Sequence, residues 1–194
     1  MSRETTSDPA CASPPTTSLR HGSGDWDHGL RLMQIAIISD THLPRGARRL
    51  PAACIERLAA ADLILHAGDL STLAVLRDLE SYGPVVAVHG NVDDAEVRAA
   101  VPAVAAIEAA GAKIAVVHDA GPAKGRLTRL RRRFPDAAAV VFGHSHIPLH
   151  EGEADGFQIF NPGSPTERRR SPAHTMGMAR VQDARVSFEL IVLG

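Results

Sequence analysis

The chain has 194 residues, 44% of them apolar, and a mean hydropathy of −0.05, enough to bury a full core as one globular domain. Its 21 Lys and Arg against 22 Asp and Glu leave a net charge of −1, which excludes a strong bulk field toward nucleic acid or an anionic membrane. No apolar run approaches the roughly 18 residues that span a bilayer, and the amino terminus lacks a signal-peptide apolar core, so a cytoplasmic protein is expected.

Residues 1–32 are rich in Ser, Thr, Pro, Gly and charge and show no apolar periodicity. Such a segment cannot offset its ordering entropy and is expected to be a disordered N-terminal extension. Met33 opens directly onto an apolar run and is read as an alternative start of translation, with the folded domain covering 33–194. From there strand-like and helix-like stretches alternate: a strand over 34–39, a helix over 48–60, a strand over 62–68, a helix over 72–81, a strand over 84–90 and a short helix over 94–100. A hairpin over 103–119 turns at Ala110 and Gly111, followed by a basic helix over 124–133 and a strand over 137–143. Short strands are expected at 148–151, 156–160, 174–181 and 185–193, separated by Gly, Pro and Asp turn signals. The pattern is α/β, a parallel-leaning half followed by an antiparallel-leaning half, without internal repeats. Cys11 and Cys54 share no short spacing and fit reduced, structurally minor thiols.

Seven candidate metal ligands fall just after the apolar runs, where strands end and a crevice opens. They are Asp40 and His42 in SDTH, Asp69 in HAGD, Asn91 in HGNVDD, His118 in VVHD, and His144 and His146 in GHSH. Two carboxylates, one amide oxygen and four imidazoles suit Mn, Fe, Zn, Ni or Co better than calcium. Seven donors exceed what one ion with open positions needs, whereas two ions sharing a carboxylate would use them all.

In order and content these motifs resemble the calcineurin-like metallophosphoesterase superfamily: D-x-H at Asp40 and His42, G-D at Gly68 and Asp69, G-N at Gly90 and Asn91, a lone His118, and G-H-x-H from Gly143 to His146. HAGD and Asn161-Pro162-Gly163-Ser164 resemble the small single-domain prokaryotic phosphodiesterases, the branch related to the metallophosphoesterase-like subunit of retromer. The resemblance implies an αββα sandwich of two mixed sheets flanked by helices. It also implies a first divalent ion on Asp40, His42 and His146, a second on Asn91, His118 and His144, and Asp69 bridging both. Manganese leads among the metals implied, with Ni, Fe, Zn or Co as alternatives. Asp69, Asn91 and His118 are the residues expected to carry catalysis, in which a hydroxide between two metals attacks phosphorus in a phosphodiester. A catalytically weak scaffold for protein interaction is the alternative. The expected partner is a small phosphoester, with no membrane, little support for nucleic acid, and homo-oligomerisation left open.

Two departures from the family stand out. Val92 occupies the position after the G-N Asn where many members carry a proton-donating His, and Asp119 replaces the usual Gly after His118. Asp119 has three readings: orienting His118, tuning metal preference, or facing solvent. His66, on an apolar strand, reads as a hydrogen-bonded core histidine. His89, where relatives often carry Arg, is a candidate phosphate contact. Gly68 and Gly90 are expected to permit sharp turns and close approach to the metals. The run Arg126, Arg129, Arg131, Arg132 and Arg133 reads as a solvated helix face, and Arg168, Arg169 and Arg170 as candidate phosphate contacts beside the NPGS turn, which itself shapes the site or is a turn only.

Overall fold

The computed structural model describes Thr16–Thr17 and residues 32–194. The expected disordered extension therefore lies mostly outside the described residues. Within it, β1 (Thr16–Thr17) pairs in parallel with β5 (Val104–Ala109), a strand with no signal in the sequence.

The first half follows the alternation read above: β2 (Met33–Ile38), α1 (Ala52–Ala60), β3 (Leu63–His66), α2 (Leu73–Glu80), β4 (Val85–Ala87) and α3 (Ala95–Ala100). The strands are continuously apolar because both faces are covered. In β2, Ile35 and Ile37 face the core between the sheets while Ala36 and Ile38 face Cys54, Leu58, Val75 and Leu79 of α1 and α2. Helix α1 starts at Ala52, four residues later than expected, because Pro51 has no N–H to give and its fixed φ suits a helix entry. Helix α3 is capped by Asp94, whose carboxylate accepts the Val97 amide at 2.9 Å.

In the second half β5 and β6 (Ala112–Val117) form the expected hairpin, with Ala110 and Gly111 both at positive φ as a two-residue primed turn requires. There follow α4 (Arg126–Arg133), β7 (Ala139–Val141), β8 (Leu149–Gly152), β9 (Gln158–Asn161), β10 (His174–Gln182) and β11 (Arg185–Leu193). The strands make two mixed sheets, ordered β1-β5-β6-β7-β9-β8 and β11-β10-β2-β3-β4. Their inner faces share one core that includes Ile35, Leu65, Ile107, Val116, Val141 and Phe160. Helices α1 to α3 cover the outer face of the second sheet, and α4 covers the first through Leu130 against Val117, Val140 and Phe142. The architecture is the expected αββα sandwich. No helix among the described residues is long and apolar enough to cross a membrane.

Candidate metal centre

The carboxyl ends of the parallel strands β2, β3 and β4 of one sheet and β6 and β7 of the other lead directly into the segments carrying Asp40, Asp69, Asn91, His118 and His144. Five of the seven candidate ligands hold a left-handed backbone: Asp40, His42, Asp69, His144 and His146 have φ between 46° and 68°. Non-glycine residues seldom adopt that conformation, and it clusters where a fold over-determines the direction of a side chain.

Around Asp40 the donors converge tightly. His146 Nε2 lies 3.2 Å from Asp40 Oδ1 and 3.1 Å from His42 Nε2, all three residues being buried. His146 Nδ1 donates to the Glu167 carbonyl at 3.0 Å, which leaves the Nε2 lone pair facing inward. The His144 amide is shared between the Asp40 oxygens, 3.1 Å from Oδ1 and 3.0 Å from Oδ2, while Ser39 Oγ donates to Oδ2 at 2.7 Å and Oδ1 is the oxygen beside His146.

Around His118 the same logic recurs. Its Nδ1 donates to the Ala67 carbonyl at 2.8 Å, and its Nε2 faces Asn91 Oδ1 at 3.1 Å, His144 Nδ1 at 3.3 Å and Asp69 Oδ2 at 3.3 Å. Asn91 Oδ1 and His144 Nδ1 are 2.9 Å apart. Asp69 joins the clusters: Oδ1 is occupied by the Val92 amide at 3.0 Å, while Oδ2 lies 3.7 Å from His42 Nε2 on one side and 3.3 Å from His118 Nε2 on the other. The first cluster is buried, but His144 and Asn91 are exposed, so access is through the second.

These residues fit a metal. Ligands about 2.1 Å from one ion stand about 3.0–3.4 Å from each other at tetrahedral or octahedral angles, close to the observed spacings. Lone pairs of buried imidazoles and carboxylates facing one another at such distances repel unless a proton or cation lies between them. The charges respond accordingly: burial pushes the Asp40 carboxyl up to about 7. Burial also lowers His146 to about 4 and depresses His42. At His118 burial is outweighed by the bond to Asp69 and the charges of Asp40 and Asp69, and its pKa rises. At Asp69 burial is outweighed by His118, the Val92 amide and His42, which hold the carboxyl at about 2.

Other residues singled out in the sequence now have places. His66 is wholly buried, accepts the Gly68 amide at Nδ1 and meets Thr41 Oγ1 at Nε2, as a core histidine should. Asp119 is exposed and accepts the Gly121 amide, so it does not orient His118, whose Nδ1 is taken by Ala67. A Cβ on Gly68 would meet the His118 ring at 2.6 Å, and one on Gly90 would strike the Asp69 carboxylate. The basic helix is less solvated than expected. Arg126 stacks over Phe142, Arg129 reaches the Ala120 and Pro122 carbonyls, and Arg131 pairs with Asp155. Arg133 lines a groove of about 330 Å³ with His89 and Arg98, opening beside Asn91, His118 and His144. A larger hollow, about 590 Å³ between Arg131 and Val186, holds none of the seven candidates. Of the three arginines after NPGS, Arg168 bonds the Pro172 carbonyl, while the charge of Arg169 helps depress His42 and His146.

Sequence reasoning missed two carboxylates. Buried Asp93 accepts three amides, from Asp69 at 3.1 Å, Ser71 at 2.6 Å and Gly90 at 2.6 Å. Glu167 pairs with Arg48 beside His42 and His146. Asp93 had a signal in its place two residues after Asn91; Glu167 and Arg48, 119 positions apart, had none.

Residues 33–184 match the calcineurin-like phosphoesterase superfamily domain. The chain is 32% identical over 164 residues to a probable metallophosphoesterase of Methanothermobacter thermautotrophicus, covering 84% of this chain and 94% of that one. It is 35% identical over 140 residues to a probable metallophosphoesterase of Methanocaldococcus jannaschii, covering 71% and 70%. Its fold matches a crystal structure of Vps29 complexed with zinc from Entamoeba histolytica with a TM-score of 0.66, at 20% identity over 84% of this chain and 100% of that one.

Proposed function

Because this chain belongs to the calcineurin-like phosphoesterase superfamily, we propose that it is a phosphodiesterase working with two divalent metal ions, manganese foremost. The observation that carries this reading is Asp69 Oδ2 standing between His42 and His118, each at the edge of a separate donor cluster. Asp40, His42 and His146 would hold one ion, Asn91, His118 and His144 the other, and Asp69 both. When bound, such a pair would supply an acidified water as nucleophile and neutralise charge developing on phosphorus.

The protein's own groups do the rest. Ala67 and Glu167 carbonyls fix the tautomers of His118 and His146. The Val92 amide holds one oxygen of Asp69, keeping the other for bridging. The exposed side at Asn91 and His144 admits the phosphoester, and the neighbouring groove with His89, Arg98 and Arg133 takes its organic part. Arg169 is the guanidinium of the NPGS loop suited to a non-bridging oxygen. Val92 cannot protonate a leaving group, so this reading favours activated esters or a solvent-supplied proton.

The Vps29 likeness favours a second reading, a scaffold for protein interaction with little turnover. The two separate in a screen of bis(p-nitrophenyl) phosphate, p-nitrophenyl phosphate and cyclic nucleotides across Mn²⁺, Ni²⁺, Co²⁺, Fe²⁺ and Zn²⁺, with metal content measured alongside. The expected result is up to two metal equivalents and diester hydrolysis, with Asp69→Asn losing roughly a hundredfold or more in turnover together with metal. No metal above background and no turnover on any ester would overturn the enzyme reading.

A further inference from the structure

Glu167 has no counterpart among the seven candidate ligands, yet it touches two of them. Its Oε2 lies 3.8 Å from His42 Nε2 and 4.0 Å from His146 Nδ1. Its carbonyl accepts from His146 Nδ1 at 3.0 Å. The side chain is held on both of its oxygens by Arg48, with Nη2 3.2 Å from Oε1 and Nη1 3.3 Å from Oε2. The main chain is fixed as well. The Glu167 amide donates to Ser164 Oγ at 2.9 Å, and that hydroxyl, 1% exposed, donates to the Asp40 carbonyl at 2.8 Å. The carboxylate is thus stationed beside the first cluster, only 20% exposed, with the Arg48 guanidinium against it.

Resting on the metal-binding reading above, we propose that Glu167 is a further anionic partner of the first metal position, setting its affinity, with Arg48 opposing it in charge while holding it in place. The two positions then differ in kind. The first is faced by Asp40, Glu167 and the shared Asp69. The second has the neutral amide of Asn91 beside Asp69 and Asp40, whose carboxylate also lies within 4.8 Å of the donor atoms of Asp69 and His118. Glu167 is therefore the carboxylate that sets the first apart. The first position fills first, and the charge on Glu167 governs how tightly.

The test is titration of the metal-free full chain with Mn²⁺ against a competing chromogenic chelator, resolving the two binding events. Glu167→Gln keeps the shape and removes the charge. It is expected to weaken the tighter event about tenfold or more, in the range of groups adjoining a ligand shell, and to move the weaker event little. Arg48→Met removes the opposing guanidinium and is expected to tighten the first event. A Glu167→Gln variant with an unaltered tight event, or two variants that weaken it alike, would overturn the proposal, since a merely mechanical clamp fails from either end. If Glu167→Gln folds poorly, Arg48→Met decides alone, and a tight event that weakens or stays unchanged on that substitution overturns the proposal. Absence of any metal binding by the unsubstituted chain would instead sink the metal-dependent reading itself.

Discussion

At the residue scale, the site is built by forcing side chains into directions that the backbone does not favour. Asp40, His42, Asp69, His144 and His146 all sit at positive φ, each at about 1 kcal/mol or more for a non-glycine residue. Glycine stands where a neighbouring candidate ligand leaves no room for Cβ. Gly90 is the sharpest case, its missing Cβ lying against the Asp69 carboxylate and 2.7 Å from the Asp69 amide nitrogen. Gly90→Ala should therefore displace Asp69, lowering stability by about 1–3 kcal/mol, as overpacking does, and reducing bound metal. Urea unfolding and metal analysis check this, and a variant equal to the parent in both would show that Gly90 serves only as a turn.

At the element scale, the site depends on loops tied to each other rather than to their own strands. Asp93 collects the amides of Asp69, Ser71 and Gly90, joining the segments that leave β3 and β4. Ser164 and Thr166 tie the NPGS loop to the segment after β2 through the Asp40 and Thr41 carbonyls. Asp93→Ala strands three amides, two of them in buried bonds, and at roughly 1–3 kcal/mol for each buried group left unpaired the loss should reach about 3 kcal/mol. Chemical unfolding of the metal-free protein gives the number. A loss below 1 kcal/mol would mean that water replaces the carboxylate and the loops do not rely on it.

At the scale of the whole molecule, two mixed sheets pressed together bring strand ends from both halves of the chain to one rim, and stability is linked to the buried imidazoles there. Burial, followed by the charge of His118, lowers His66 to about 3. A histidine depressed in the folded state is protonated first in the unfolded chain, so its contribution is whole above about pH 6.5 and is lost as pH falls from there toward 3. Between those limits one such group costs about 1.4 kcal/mol per pH unit. His66→Gln, which can keep partners at Thr41 and the Gly68 amide, should flatten that slope in unfolding experiments with chelator between pH 7 and pH 5. An unchanged slope would assign the acid sensitivity to other groups. Cys54 adds no comparable switch, since burial pushes its thiol up to about 12.

Much of this was legible in the sequence because local signals are short-range. Apolar runs buried on both faces marked strands, Ala110-Gly111 marked a hairpin, and the motif residues sat at strand ends where parallel sheets open their crevice. The sequence pattern runs the first helix from 48, across Pro51, whereas the helix starts at Ala52 directly after that proline. What the chain order could not reveal was partnership across distance. Strands β10 and β11 return to the first half's sheet and pair beside β2, Asp93 binds amides on two loops, and Glu167 finds Arg48 and His146. Those pairings have no periodicity. They exist only when the two sheets close on one core, and it is that closure, not any one motif, that sets Asp69 Oδ2 between His42 and His118.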